Sequence, residues 1–140
     1  MRPEEQFQRI ADELEIRNLV VRLAHTADEG SLDEYAGLYT EDAIWDGGPA
    51  FGRRRGIADI LTGVRERSAS GIAGPGTHTR HVITTTSVRV MGDTAEVRSY
   101  FLFYVDCDKA PTVRVVGAYR DEMRRTPSGW KLAHRRIRLG

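Results

Sequence analysis

The stretch RHVITTTSVRVMGDTAEVRSYFLFYVD, residues Arg80–Asp106, decides the fold. Its first half, from His81 to Met91, is rich in Val, Ile and Thr, and its second half, from Thr94 to Asp106, carries apolar side chains at mostly alternate positions. This period of two is typical of β-strands, and Gly92-Asp93 between the halves is a turn signal. The stretch therefore predicts two long strands separated by a turn.

Further strands are predicted on both sides of this pair. Val113–Arg124 is a third long strand, and Pro127-Ser128-Gly129 turns into a fourth strand, Trp130–Leu139. Ala43–Asp46 is a short apolar run that Gly47-Gly48-Pro49 closes, which indicates a brief strand and a turn. The second half of the chain is thus a four-stranded antiparallel meander.

The first half of the chain predicts three helices. From Glu4 to about Asp28, apolar residues recur at helical spacing, and Gly30 is a plausible stop. Ser31-Leu32-Asp33-Glu34 has the spacing of a capping box and starts a second helix that runs to about Tyr39. Ile57–Arg67 is the third. Helices followed by strands predict an α+β fold in which three N-terminal helices cover one face of a curved antiparallel sheet.

Length and composition describe one ordinary globular domain over residues 1–140. This length is enough to bury a real core, and 40% hydrophobic with 29% charged residues excludes a disordered or fibrous chain. The net charge of +1 provides no electrostatic footprint for nucleic acid. We interpret the arginine clusters Arg53–Arg55, Arg124-Arg125 and Arg135-Arg136 as solvated strand ends and loops.

The single cysteine, Cys107, excludes an internal disulfide. Cys/His metal spacing is absent, and we expect neither a metal nor a cofactor. No apolar run approaches the roughly 18 residues of a membrane span, and the N-terminus lacks the apolar core of a signal peptide. We expect a cytoplasmic protein that binds neither membrane nor nucleic acid.

Several short signatures resemble the SnoaL-like branch of the nuclear-transport-factor-2-like superfamily. They are the helix ending in Ala27-Asp28 before Gly30, LDEYAGLYTEDAIWD (32–46), RHVIT at a strand start, and GAYRDEMRRTPSGWKLAHRRI (117–137). The resemblance covers nearly the whole chain. It implies a cone-shaped half-barrel, in which a curved sheet wraps around an apolar pocket.

Within this branch the chain is most similar to lyases of the scytalone dehydratase and lindane dehydrochlorinase type. These pair an aspartate near the end of the first helix with a histidine at the start of the first long strand, and Asp28 and His81 occupy those positions. A tyrosine that adjoins the aspartate in scytalone dehydratase corresponds to Ala27 here. The resemblance implies that His81 removes a proton from carbon and that Asp28 orients its ring.

Other candidate site residues are aromatic or imidazole side chains. Tyr119 could donate a hydrogen bond to a substrate oxygen. Candidate pocket walls are Leu23, Tyr39, Trp45, Phe51, Phe101 and Phe103. We expect His25 to be exposed and His78 to lie in a Gly-rich loop, at the surface or at the mouth of the pocket. We expect His134 to point inward with Leu132 and Trp130 as a structural histidine. Arg80 should face away from His81.

Strand alternation leaves one question open. It places His81 on one side with Ile83, Thr85, Ser87 and Arg89, a mixed face, so either a bulge shifts the register or the polar end of the strand lines the cavity. The alternative for the pair is that Asp28 merely ends a helix in solvent and that His81 merely starts a strand.

These residues predict a cofactor-independent lyase or isomerase that acts on a small hydrophobic cyclic or polyketide-like substrate. The alternatives are a non-catalytic module that binds a hydrophobic ligand, and the small subunit of a ring-hydroxylating dioxygenase, which would need a large iron-bearing partner. The resemblance also implies a homodimer or homotrimer that associates through the sheet.

Overall fold

The computed structural model describes all residues from 1 to 140. The chain forms four helices and six strands in the order α1 (Pro3–Glu29), α2 (Leu32–Ala36), β1 (Tyr39–Asp46), α3 (Gly48–Phe51), β2 (Arg53–Arg55), α4 (Ile57–Ala69), β3 (Arg80–Met91), β4 (Thr94–Val105), β5 (Thr112–Thr126) and β6 (Gly129–Leu139). None of the helices combines the length and apolar character that crossing a membrane requires.

All six strands belong to one curved, unclosed sheet with the strand order β2-β1-β6-β5-β4-β3. The α+β class, the helical cover and the four-stranded meander β3 to β6 are confirmed. The four meander strands pair antiparallel, and the brief strand β1 joins this sheet parallel to β6. Strand β2 and the single helical turn α3 were not predicted. The segment Arg53–Arg55 consists of three arginines, which give no strand signal in the sequence. It nevertheless forms a strand that pairs with β1 at the sheet edge.

The helix boundaries follow local chemistry. At the end of α1, the backbone N–H of Gly30 donates a hydrogen bond to the carbonyl oxygen of Thr26. The capping box of α2 is confirmed, because the Ser31 hydroxyl accepts from the Glu34 N–H at 3.1 Å and the Glu34 carboxylate accepts from the Ser31 N–H at 3.2 Å. Helix α2 ends at Ala36 rather than Tyr39. Tyr39 therefore starts β1.

The core lies between α1 and the concave face of the sheet. The predicted stripe of α1 is buried, from Ile16 through Leu19, Val20 and Leu23, and it packs in one cluster with residues of β1, β4, β5 and β6. A second, smaller cluster consists of Phe101, Phe103 and Tyr119. Residues of both clusters line a space between them.

Two β-bulges determine which side chains face that space. In β3 the pairing shifts between Thr84 and Ser87, and Thr85 has a φ of 49°, which is uncommon for a β-branched residue. In β6 the pairing with β5 shifts so that Glu122 is opposite His134 and Met123 is opposite Leu132. Beyond the extra residue of each bulge, side chains that would have faced one side of the sheet face the other.

A buried carboxylate joins α1 to the far end of the sheet. Asp12 accepts hydrogen bonds from both terminal nitrogens of Arg125, at 2.7 and 2.8 Å, and from the indole N–H of Trp130 at 3.0 Å. The Arg125 guanidinium also lies 4.6 Å from the centre of the Trp130 ring. Hydrogen bonding by Arg125, opposed by burial, lowers the pKa of Asp12 to about 2. The Asp12 carboxylate is therefore ionised at every pH well above about 2.

This shift predicts a specific acid sensitivity. Because the folded-state pKa of Asp12 lies below its unfolded value of 3.8, the contribution to stability is complete above that value and is lost as pH falls toward the folded value. We expect the free energy of unfolding of the wild type to exceed that of Asp12→Asn at pH 6. The gap should narrow by about 2 kcal/mol as pH falls from 5 to 2.

Urea unfolding of both proteins across this pH range measures the gap. Asp93→Asn is the control, because Asp93 bonds the same arginine at 2.9 Å but its side chain is 84% exposed. The free energies of unfolding of Asp93→Asn and the wild type should differ only slightly at every pH. A gap between wild type and Asp12→Asn that does not vary with pH would contradict the assignment.

Candidate functional site

An apolar cavity of about 140 Å³ lies between α1, α4 and the concave face of the sheet. Twenty residues line it, and 16 of them are hydrophobic. The turn after α4 contributes Ile72, Ala73 and Gly74, which close one side. An engineered apolar cavity of ~150 Å³ accommodates benzene. The cavity therefore has room for about one six-membered ring.

Most of the predicted wall residues line this cavity. They are Leu23, Trp45, Phe51, Phe101 and Phe103. The prediction for Tyr39 was wrong, because α2 ends early and places Tyr39 in the main core, where it is 3% exposed. Tyr35 lines the cavity in its place, and the two phenol oxygens lie 2.5 Å apart. Sequence reasoning missed Tyr35 because it lies in a short helix whose inward face cannot be read from five residues.

The structure brings Asp28 and His81 together. Asp28 lies in the last turn of α1 and is 6% exposed, and one of its oxygens is 2.7 Å from Nδ1 of His81. The backbone N–H of His81 donates to both carboxylate oxygens, at 3.0 and 3.2 Å. A carboxylate on Nδ1 favours the tautomer that carries its proton there. Nε2 of a neutral His81 ring is then the free acceptor.

The His81 ring lines the cavity. Its side chain is 21% exposed, and the centres of the His81 and Phe103 rings are 4.7 Å apart. The question left open by strand alternation is answered by the bulge at Thr85, beyond which Val88 and Val90 rather than Arg89 pack against the core. The start of β3 therefore faces the cavity without forcing its polar second half inward.

Tyr119 also lines the cavity and is held on both faces of its ring. Phe101 stacks on it at 4.3 Å with an angle of 11°, and the Arg135 guanidinium carbon lies 3.8 Å from its ring centre. This packing requires Gly117, because a Cβ there would lie 2.6 Å from the Phe101 ring. Burial raises the pKa of the Tyr119 phenol. Tyr119 is therefore a neutral hydrogen-bond donor at ordinary pH.

Arg135 and Asp121 form a buried ion pair behind Tyr119. Nε and Nη2 of Arg135 each bond one Asp121 oxygen at 2.9 Å, and Arg135 is itself part of the cavity wall. Burial opposes the charge of Arg135, but the Asp121 carboxylate holds its pKa well above the usual value. Our interpretation of Arg135 as a solvated residue was wrong. The bulge in β6 turns it inward, and no local pattern in the sequence shows that bulge.

The other histidines lie outside the cavity. His25 is exposed on α1 and His78 lies in the loop before β3, as predicted, the latter 3.8 Å from the Asp108 carboxylate. The inward orientation of His134 was wrong, because the β6 bulge turns it from the side of Leu132 to the opposite face. Burial, together with the charges of Arg136 and Arg53, lowers the pKa of His134.

Arg80 points away from the cavity, as predicted from strand alternation. Its side chain is 61% exposed, and its guanidinium lies 3.7 Å from the Glu29 carboxylate. No group of three or more His, Cys, Asp or Glu side chains is arranged to hold a metal ion. The cavity lining carries as polar groups the His81 ring, the Trp45 indole, the Tyr35 and Tyr119 phenols and the guanidiniums of Arg67 and Arg135.

A curved, unclosed sheet that helices cover on one face is the architecture of nuclear-transport-factor-2-like proteins. The chain belongs to the family of SnoaL-like domains, which it matches over residues 8–136. No functionally curated protein matches the sequence.

Solved structures support the fold over almost the full length. An NTF2-like protein with a cystatin-like fold from Novosphingobium aromaticivorans is 27% identical, with 97% of this chain and 86% of that chain covered and a TM-score of 0.82. A protein from the same organism, provisionally named an aromatic ring hydroxylase, is 30% identical, with 93% and 90% covered and a TM-score of 0.73.

A third structure from Novosphingobium aromaticivorans is provisionally named a scytalone dehydratase. It is 20% identical, covers 96% of this chain and 88% of its own, and has a TM-score of 0.78. At this identity the likeness shows the fold alone. The family and the fold are thus shown, and the reaction must be argued from the side chains of the cavity.

Proposed function

We propose that the protein is a cofactor-independent lyase or isomerase that removes a carbon-bound proton from a small hydrophobic cyclic substrate. The single observation that carries the proposal is the 2.7 Å contact between the Asp28 carboxylate and Nδ1 of His81 at the wall of an apolar cavity. A surface ion pair would have neither the buried carboxylate nor the enclosed space beside its free nitrogen.

The proposed base is Nε2 of His81. It accepts a proton from a carbon next to a carbonyl group, and the electron pair of that C–H bond moves into the carbonyl to form an enolate. Asp28 stabilises the imidazolium that results. The apolar lining keeps water away from the base, so the developing charges interact strongly with the few polar groups present.

The proposed oxyanion donor is Tyr119. A neutral phenol that is fixed between Phe101 and Arg135 can donate to the enolate oxygen without reorganising. The guanidinium of Arg135 adds a positive charge behind the phenol ring. It acts on the substrate through Tyr119, so we assign it a positioning and electrostatic role.

Two outcomes follow from the enolate. If the neighbouring carbon carries a hydroxyl group, that group leaves with its bonding electrons and takes the proton from the imidazolium, so the products are water and the unsaturated ketone. If the substrate has no leaving group but carries a C=C bond between the β and γ carbons, deprotonation gives a dienolate, and the imidazolium returns the proton to the γ carbon, so the double bond moves into conjugation with the carbonyl. Both outcomes need the same base, and both leave the enzyme unchanged.

The second candidate is a module that binds a hydrophobic ligand without chemistry. The cavity and its aromatic lining support it equally well, and the backbone contacts of Asp28 fit it too, but it gives no role to the ring of His81 that the carboxylate orients toward the cavity. A third candidate is the small subunit of a ring-hydroxylating dioxygenase. It draws on the relative provisionally named an aromatic ring hydroxylase, and co-purification of an iron-bearing subunit would support it.

Racemic 3-hydroxycyclohexanone is a suitable one-ring probe, because its elimination yields cyclohex-2-enone, which absorbs in the ultraviolet. We expect His81→Ala to lower the rate of elimination by about 10³-fold and Asp28→Asn by about 10²- to 10⁴-fold, since the base or its tautomer is lost. Tyr119→Phe should lower it about 10²-fold through loss of one oxyanion donor.

His25→Ala and His78→Ala are the matched controls, because each removes a histidine that lies outside the cavity. Both should retain the wild-type rate, and circular dichroism should show an unchanged fold in all five variants. Elimination by His81→Ala at the wild-type rate would disprove the role of His81. A wild-type rate no higher than that of buffer would favour the binding module.

We also propose that the protein is a homo-oligomer that associates through the convex face of the sheet. Tyr100 and Val116 on that face are 53% and 52% exposed. Arg98, Arg120 and Arg136 lie directly opposite one another on β4, β5 and β6. Glu96 of the same chain pairs with Arg120 at 3.3 Å, and an acidic partner surface would stabilise the neighbouring charges of Arg98 and Arg136.

A second copy of the chain offers such an acidic surface. Glu96 and Glu122 form a neighbouring acidic row, two residues along β4 and β5 from the arginines. When two copies pack through this face, the acidic row of one can lie against the basic row of the other. Whether the assembly is a dimer or a trimer depends on the symmetry with which the copies pack through this face.

Val116→Asp is therefore expected to produce monomers, because it places a charge in the exposed apolar part of that face. Light scattering coupled to size-exclusion chromatography measures the mass. Ile10→Asp is the control, since Ile10 is 55% exposed on α1 and lies outside the proposed interface. A wild-type protein that is monomeric at 100 µM, or a loss of assembly in Ile10→Asp alone, would contradict the proposal.

A further inference from the structure

Arg67 is a cavity residue whose charge has no carboxylate partner. It lies in the last turn of α4, and its guanidinium carbon is 5.0 Å from the centre of the Trp45 ring. The adjacent Glu66 is bound instead by Arg54 at 2.8 Å. Arg67 is half-buried and lines the same apolar cavity as His81.

The backbone of α4 makes room for this side chain. Side chains of a helix point toward its N-terminus, so Arg67 lies over the turn that contains Gly63. A Cβ at position 63 would lie 3.2 Å from Nη1 of Arg67 and 3.2 Å from Nε of Arg54. Gly63 thus lets the guanidinium lie close against the helix, beside Trp45 at the edge of the cavity.

The other guanidinium of the cavity has a carboxylate partner within the chain. Arg135 is neutralised by Asp121 through two hydrogen bonds of 2.9 Å. The Asp28 carboxylate accepts hydrogen bonds from the backbone N–H of His81 and contacts its ring. Arg67 is therefore the cavity cation that is free to pair with an anionic ligand.

We propose that Arg67 binds the carboxylate of a small one-ring carboxylic acid and so directs a ring carbon toward His81. A guanidinium presents two parallel N–H groups that match the two oxygens of a carboxylate. The apolar lining accepts the ring, and the volume of about 140 Å³ limits the ligand to about one ring. The orientation toward His81 rests on the proposed function, whereas the binding of the acid does not.

Benzoate and benzamide are the probes, because they share the ring and the planar head group and differ in charge. Isothermal titration at low salt measures both affinities. We expect the wild type to bind benzoate at least tenfold more tightly than benzamide. Arg67→Gln should weaken benzoate binding at least tenfold and leave benzamide binding unchanged, and Arg67→Lys should restore part of the difference.

Arg65→Gln is the matched control, since it removes the same charge from an exposed position of the same helix. It should bind benzoate like the wild type. Equal affinity of the wild type for both probes would overturn the inference, and so would an equal loss in Arg65→Gln and Arg67→Gln. His81→Ala separates the two proposals, because it should lose elimination and retain benzoate binding.

Discussion

The Asp28 carboxylate is the interaction on which the geometry of the site depends. It lies at the C-terminal end of α1, where the helix dipole disfavours a negative charge, and it is almost fully buried. Such a group persists only if donors satisfy it. The backbone N–H and the ring of His81 are those donors, so the same contact that fixes the first helix on the sheet also orients the imidazole.

The cavity stays open because its walls are fixed by polar contacts behind them. The Asp121–Arg135 pair holds the guanidinium against Tyr119, and Gly117 lets Phe101 pack on the opposite face of that ring. Aromatic side chains with fixed orientations cannot rotate into the empty space. An apolar cavity with a few convergent polar groups is the usual form of a small-molecule site.

Much of the fold could be predicted from local patterns, and the site only in part. The period of two in β3 and β4, the capping box at Ser31 and the stripe of α1 each reflect short-range constraints that the sequence displays. Asp28 and His81 are some fifty residues apart, so their pairing depended on resemblance to a family. The contact itself is seen only in the folded structure, in which the end of α1 lies against the start of β3.

The two wrong orientations in β6 share one physical cause. A bulge shifts every later side chain to the other face of the sheet, and the bulge of β6 turned Arg135 inward and His134 outward, against their predicted orientations. Tyr39 was wrongly assigned to the cavity wall, because caps and packing determine where a helix of five residues ends. Helix propensity does not show the position of that end. Arg67 was missed because a half-buried arginine and a solvated one have the same sequence signature.

The central claim is that Asp28 fixes His81 with a free Nε2 facing the cavity, and ¹⁵N NMR of the imidazole rings at pH 8 tests it most directly. The account predicts a protonated, pyrrole-type Nδ1 and an unprotonated, pyridine-type Nε2 for His81, and loss of this preference in Asp28→Ala. His25 supplies the reference for a solvent-exposed ring. A His81 ring that carries its proton on Nε2, or that shows the same tautomer mixture in wild type and Asp28→Ala, would contradict the account.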